Sequence, residues 1–157
     1  MKKNYKFYLP KIIIIFLILL IPIKSKADQN KEFLSLKNNK VNLRLGPSFE
    51  HPVKLIYKKK YLPVSIIDES ETWRKIKDFE NNSGWIHISQ LSKKKTAINI
   101  KENSILYKRS TIFSKPIVRL EIGRLVLIKK CNIEWCKITS SDFVGWVFRS
   151  DLWGNTK

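Results

Sequence analysis

Trp73-Arg74-Lys75-Ile76, Gly84-Trp85-Ile86 and Ser89-Gln90-Leu91 occur in that order, and the pattern occurs twice. The second set is Trp135-Cys136-Lys137-Ile138, Gly145-Trp146-Val147 and Ser150-Asp151-Leu152. Pro52-Val53 precedes the first set and Pro116-Ile117 the second. The copies are offset by 64 positions at the Pro, 62 at the first Trp, and 61 at the Gly-Trp and the Leu. Ordered recurrence with such small length changes marks a tandem repeat with a unit of about 60 residues.

Each unit reads as all-β. Short alternating or apolar runs fall at Val41–Arg44, Pro63–Asp68, Trp73–Asp78, Trp85–His87, Leu125–Lys130, Trp135–Thr139 and Val144–Phe148. They are rich in the β-branched and aromatic residues that suit a pleated surface. Polar turn clusters separate them, among them Gly46-Pro47-Ser48, Glu80-Asn81-Asn82-Ser83-Gly84 and Ser140-Ser141-Asp142. No segment after residue 27 keeps a helical period. Ser89–Leu91 and Ser150–Leu152 each fit a single 3₁₀ turn. Many short strands in so few residues predict a small barrel for each unit. A unit this size buries only about 60% of its unfolded surface, so packing the two together would help. The linker Ser92-Lys93-Lys94-Lys95-Thr96 is short enough to allow it.

Residues 1–27 are different in kind. Lys2, Lys3, Lys6 and Lys11 precede an apolar run from Ile12 to Ile23, and Ser25-Lys26-Ala27 places small residues where a signal peptidase needs them. The run is shorter than the roughly 20 residues of a spanning helix. A cleaved signal peptide ending at Ala27 is therefore expected, with an uncleaved anchor as the alternative. The chain of 157 residues carries a formal charge of +18. Residues 28–157 keep 25 basic and 13 acidic residues, a balance of +12 that suits anionic partners. Export argues against nucleic acid. An AT-rich coding bias also enriches Lys, Ile and Asn together, so charge alone assigns no partner.

Val41-Asn42-Leu43-Arg44-Leu45-Gly46-Pro47-Ser48 resembles the opening of bacterial SH3-like domains. Tyr61-Leu62-Pro63-Val64, Trp73-Arg74-Lys75-Ile76 and Gly84-Trp85-Ile86-His87 are similar to later parts of that family, which often occurs as exported tandem pairs. The second copy ends in keeping, at Gly145-Trp146 and Asp151-Leu152-Trp153-Gly154, but its opening, Leu106-Tyr107-Lys108-Arg109-Ser110, lacks the Gly-Pro turn. Tyr61 stands where the family usually has Gly; Gly123 is near the matching place in the second copy. The resemblance implies two tandem SH3-like small β-barrels after an N-terminal signal peptide. The expected division is 1–27 signal, 28–37 lead-in, 38–95 first barrel, 96–154 second barrel and 155–157 tail.

Catalytic chemistry finds no motif. Cys131 and Cys136 have no local partnership with His51 or His87, as a cysteine nucleophile requires. In an exported chain a pair this close reads as a disulfide stapling a hairpin, with two buried thiols as the alternative. The two His lack metal-ligand spacing, and the loop carboxylates Asp68, Glu69, Glu71, Asp78 and Glu80 lack a cleft for paired catalysis. No cofactor and no metal are expected.

SH3-type folds bind extended peptides on shallow aromatic surfaces. The aromatic candidates in the first unit are Phe49, Tyr57, Tyr61, Trp73 and Phe79; in the second they are Trp135, Phe113 and Phe143. Trp73 and Trp135 start strands after polar turns, so they divide evenly between core edge and ligand platform. Trp85 and Trp146 follow Gly inside apolar strands and read as core. The clusters Lys58-Lys59-Lys60, Lys93-Lys94-Lys95 and Lys129-Lys130 read as solvated faces, with contact to anionic polymer as the alternative.

The expected protein is a periplasmic or secreted, non-enzymatic binding module of the bacterial cell envelope. Its expected partner is a peptidoglycan peptide or an extended envelope-protein segment; the alternative is a structural adaptor that docks on a protein and binds no wall material. Intact-mass measurement of exported protein should show a chain beginning at Asp28. A chain beginning at Met1 would defeat the expected cleavage.

Overall fold

A computed structural model describes residues 32–157; the expected signal peptide lies outside these residues. The first seven strands are β1 (Phe33–Leu36), β2 (Val41–Arg44), β3 (Val53–Tyr57), β4 (Pro63–Ser70), β5 (Trp73–Lys77), β6 (Ser83–His87) and β7 (Leu91–Ser92). The second seven are β8 (Thr96–Asn99), β9 (Ser104–Tyr107), β10 (Pro116–Leu120), β11 (Leu125–Cys131), β12 (Trp135–Ser140), β13 (Phe143–Phe148) and β14 (Leu152–Gly154). One 3₁₀ turn precedes the last strand of each set, at Ile88–Gln90 and Arg149–Asp151, one residue earlier than the sequence suggests.

The strands form two seven-stranded antiparallel sheets of identical order, β3-β2-β6-β5-β4-β1-β7 and β10-β9-β13-β12-β11-β8-β14. Where small barrels were expected, the ladders end at β3 and β7, and at β10 and β14, with no closing pair among the described residues. The repeat extends further than the sequence motifs. β1, inside the expected lead-in, pairs with β4 and β7, just as β8 pairs with β11 and β14.

Period-two alternation builds each core. In β2 and β9 the buried residues are Val41, Leu43, Ser104 and Leu106, and the intervening residues face outward. Leu36, Leu43, Val64, Ile76 and Ile86 belong to the first core; Leu106, Val126, Ile138 and Val147 belong to the second. Gly84 and Gly145 sit where sheets bend close to a neighbour. A Cβ there would lie 2.6 Å from the carbonyl oxygen of Arg44 or of Tyr107.

Strand β8 is buried along its whole length and serves both cores. Ala97 packs in the second, while Ile98, the next residue, packs in the first. Leu125 lies directly across the ladder from Ile98 and also packs against the first core. Trp153, the other cross-strand partner of Ile98, meets Phe33 edge to face at 5.0 Å. Asn155 Nδ2 donates to the Phe33 carbonyl at 3.3 Å. The second unit thus supplies part of the first unit's interior.

Polar groups inside the first unit are tied down. Asp78 accepts from the Tyr57 hydroxyl at 2.9 Å, from the Glu80 and Asn82 backbone N–H groups, and from Asn82 Nδ2. Burial, and then the neighbouring Asp78 carboxylate, push the Tyr57 phenol above its ordinary value. In the second unit the Cys131–Cys136 disulfide joins direct cross-strand partners of β11 and β12. It staples the hairpin as expected. Asn132 Oδ1 shapes the turn by accepting from the N–H groups of Glu134 and Trp135.

Two outcomes follow from this packing. Ile98→Ala should cost ~2–5 kcal/mol in denaturant unfolding, the usual range for truncating a fully buried Ile. Probes in both units should lose structure in one transition; two separated transitions would refute the shared core. Tyr57 carries the second. Below about pH 10 the folded and unfolded chains both hold its phenolic proton. Above that value the unfolded chain releases it first, so stability falls as pH rises. Tyr57→Phe should flatten this alkaline decline while costing ~1–2 kcal/mol at neutral pH, because Asp78 loses a donor. An equally steep decline in the variant would clear Tyr57 as its source.

Candidate functional site

The outward face of the first sheet carries a cleft across β2, β5 and β6. Register sets its composition, because direct cross-strand partners share a face. Trp73 lies opposite His87, Lys75 opposite Trp85, and Trp85 opposite Arg44. Trp73 is only 6% exposed, yet it is not part of the first core. Its cover comes from the outer face instead. The Phe49 ring meets it edge to face at 4.9 Å and the His87 ring at 5.2 Å. Phe49 also lies 5.3 Å from His87 and remains 67% exposed.

Phe49 is presented by the Leu45–Pro52 loop, which several hydrogen bonds hold in shape. Arg44 donates to the His51 carbonyl at 2.7 Å, the Ser48 hydroxyl and His51 Nδ1 are 2.8 Å apart, and the Glu50 N–H donates to Ser48 Oγ. The Gly46 position lies against the His51 ring, leaving no room for a side chain there. The Arg44 guanidinium passes over the Phe49 ring at 5.8 Å. His87 Nδ1 accepts from the Ser89 N–H at 3.3 Å and lies 2.8 Å from the Ser89 hydroxyl, which holds the ring in place.

Phe49, Trp73 and His87 line the aromatic side of the cleft; Lys40, Asn42, Arg44 and Gln90 line the polar side. Its volume is about 150 Å³, room for a side chain or a short peptide segment. Two cations border it, and no carboxylate does. Of the expected residues, the structure brings together Phe49 and Trp73. It adds Lys40, Asn42, Arg44, His87 and Gln90, which an aromatic criterion could not select. Asn42 and Arg44 both stand in the Asn-x-Arg-x-Gly-Pro-Ser stretch, and His87 and Gln90 in the quoted repeat motifs, but nothing local in those motifs joins them to one site.

The remaining candidates lie elsewhere. Tyr57 is 8% exposed, in the core, with its hydroxyl on Asp78. Phe79 packs against the same core. Tyr61 is half-buried in the β3–β4 connection, where Lys60 Nζ lies 4.9 Å from its ring centroid. Its φ is 65°, in the left-handed region that favours glycine, and Gly123 has φ 77° at the matching place. The correspondence is close: the Tyr61 N–H donates to the Leu36 carbonyl, and the Gly123 N–H to that of Asn99. Phe113 is 92% exposed, on the β9–β10 loop.

Trp85 and Trp146 correct the expectation that they are core. Both are half-buried on the outer faces, with Lys75 Nζ 5.9 Å from the Trp85 ring centroid and Lys130 Nζ 5.7 Å from that of Trp146. The preceding Gly fixes the parity: Gly84 and Ile86 point inward, so Trp85 points out. The three Lys clusters are exposed.

The second unit has the same framework and a different surface. Trp135 stacks on Phe148 with centroids 4.0 Å apart and meets Tyr107 edge to face at 5.8 Å. By strand correspondence, Tyr107 occupies the place of Arg44, and Phe148 that of His87. Aromatic rings thus pack together at the positions that line the cleft in the first unit. No cluster of three or more His, Cys, Asp or Glu with metal-binding geometry occurs among the described residues, and no helix there is long and apolar enough to cross a membrane.

No curated protein matches the sequence. Among solved structures, NlpC2 from Trichomonas vaginalis is 15% identical, with 80% of this chain and 48% of that one covered and a TM-score of 0.37. NlpC1 from the same organism is 15% identical, with 82% and 47% covered and a TM-score of 0.38. An NlpC/P60 family protein from Bacillus cereus ATCC 10987 is 10% identical, with 78% and 56% covered and a TM-score of 0.34. The chain spans about half the length of each. The profile of the bacterial SH3 domain matches residues 37–93 and again 101–154, once on each sheet. With both repeats matched over most of the chain, the protein belongs to the bacterial SH3 domain family.

Proposed function

We propose that this protein is an exported, non-catalytic binding module of the bacterial cell envelope, and that the first unit holds a peptidoglycan peptide in the cleft beside Phe49. One observation carries the reading: Phe49 leaves 67% of its surface exposed while braced on Trp73 and His87 next to two cations. A large apolar ring held in place and still open to solvent offers flat contact at little further entropic cost. Membership in the bacterial SH3 domain family and the Cys131–Cys136 disulfide both suit an envelope location.

The mechanism is recognition. A peptide backbone lying across β2 and β6 would press apolar groups on Phe49 and Trp73. The side chains of Asn42, Gln90 and His87 would supply hydrogen bonds, and Lys40 and Arg44 would attract acidic groups. An extended segment of an envelope protein would meet the same chemistry and is the competing outcome of the test. The adaptor reading draws support from apolar side chains exposed on the second unit, Phe113 at 92% and Ile133 at 89%.

Residues 28–157 should co-sediment with purified, protein-free peptidoglycan sacculi at both low and high salt. Exposed charges alone would lose their grip as salt rises, since screening acts over about 10 Å at 0.1 M. Phe49→Ala should weaken pelleting about tenfold, a loss of ~1.4 kcal/mol, while the chain keeps its strand content by circular dichroism. Pelleting abolished by salt and indifferent to Phe49 would reduce the interaction to net charge. Failure to pellet, with a stoichiometric protein partner on pull-down, would favour the adaptor.

A further inference from the structure

The two units are internal copies, so their differences at matching positions point to what one does and the other does not. β2 corresponds to β9 and β6 to β13, through the same ladder order and the same inward positions. At the cleft the Trp is kept, as Trp73 and Trp135. The residues around it change: Lys40 becomes Asn103, Arg44 becomes Tyr107 and His87 becomes Phe148. At these positions the second unit has no cation, although the Arg119 guanidinium donates to Asn103 Oδ1 at 3.0 Å, and Trp135 is covered by the stacked ring of Phe148 and the edge-to-face ring of Tyr107. The first unit keeps its cations around an open aromatic floor.

We infer that the first unit's cleft is selective for a carboxylate on the bound peptide, one that faces Arg44 while Lys40 adds its charge just before the same strand, and that the second unit has no such site. This rests on the peptide-binding reading above and narrows its chemistry. Arg44 is half-buried, with its guanidinium anchored by the hydrogen bond to the His51 carbonyl and lying over Phe49. That bond uses one N–H of the five a guanidinium carries, and it fixes the plane in which the others are offered. Lys40 is exposed at the other end of the polar side and makes no ion pair among the described residues. Asp and Glu are absent from the lining, so nothing there competes for the two cations. The nearby rings exclude water from one side, which strengthens the attraction for an anion. A peptide with a terminal or side-chain carboxylate next to a small apolar group matches this arrangement: the apolar group lies on Phe49 and Trp73, and the carboxylate faces Arg44.

The test uses residues 28–157 and stem peptides released from purified sacculi by an amidase, titrated by calorimetry. The same peptides, with their carboxylates converted to amides, form the second arm. The unmodified peptides should bind with one peptide per chain, and amidation should weaken binding at least tenfold. Lys40→Gln should weaken binding of the unmodified peptides three- to tenfold and leave the amidated ones unchanged. Lys58→Gln, an exposed charge outside the cleft, should change neither. Equal affinity for both peptide forms, or an equal loss in Lys58→Gln, overturns carboxylate selectivity while the peptide-binding reading stands. Two peptides per chain overturns the restriction to the first unit. No binding of either form defeats the peptide-binding reading itself, and this inference with it.

Discussion

The packing of β8 between two interiors is the constraint on which the rest depends. Ala97 faces one core and Ile98 the other, and Leu125 joins Ile98 across the ladder. A unit of about 60 residues has little interior of its own, and its surface-to-volume ratio keeps it marginal. Sharing Ile98 and Leu125 enlarges the first core without lengthening the first repeat. All four residues of β8 are buried, and two of its polar atoms, Thr96 Oγ1 and Asn99 Oδ1, have no hydrogen-bond partner there. Asn99 Nδ2 ends the strand by donating to the carbonyls of Lys101, Leu120 and Glu121, which ties the amide nitrogen of this buried residue to the β10–β11 turn.

A core built by strict alternation leaves the outer face of each sheet free to differ. The inward set is similar in the two copies, since Leu43 and Leu106, Ile76 and Ile138, and Ile86 and Val147 do the same packing. The outward set carries Arg44, Trp73 and His87 in one copy and Tyr107, Trp135 and Phe148 in the other. Changing an outward side chain does not disturb the interior. Duplication of this framework therefore yields two units equal in architecture, one with an open cationic cleft and one with a closed aromatic face.

Much of the strand layout was legible in the sequence. β2 falls on the expected Val41–Arg44, and β4, β5, β6, β11, β12 and β13 lie within a few residues of their expected bounds. These strands carry Trp, Ile and Val in alternation, a local signal that burial on one face produces. β1, β3, β7–β10 and β14 escaped it. β8 is buried on both faces, so its four residues show no polar alternation, and β3 and β10 are edge strands whose apolar residues remain partly exposed. The two Gly-Trp pairs misled for a related reason. Apolar neighbours suggested burial, but alternation through Gly84 and Gly145 turns the indoles outward.

The sequence by itself determined the tandem all-β architecture and the family, and it favoured the pairing of Cys131 with Cys136 that the structure contains. Each of these follows from short-range patterns: period-two alternation, recurring Gly-Trp strand motifs, and thiols close enough to close a hairpin. Only the tertiary structure decided which aromatics meet. Phe49 and Trp73 are 24 positions apart, and Lys40 and His87 are 47 apart; they share one cleft because β2, β5 and β6 are neighbours in the ladder. Such proximity depends on strand order and register, which arise from the packing of the whole chain. No local run of residues encodes it.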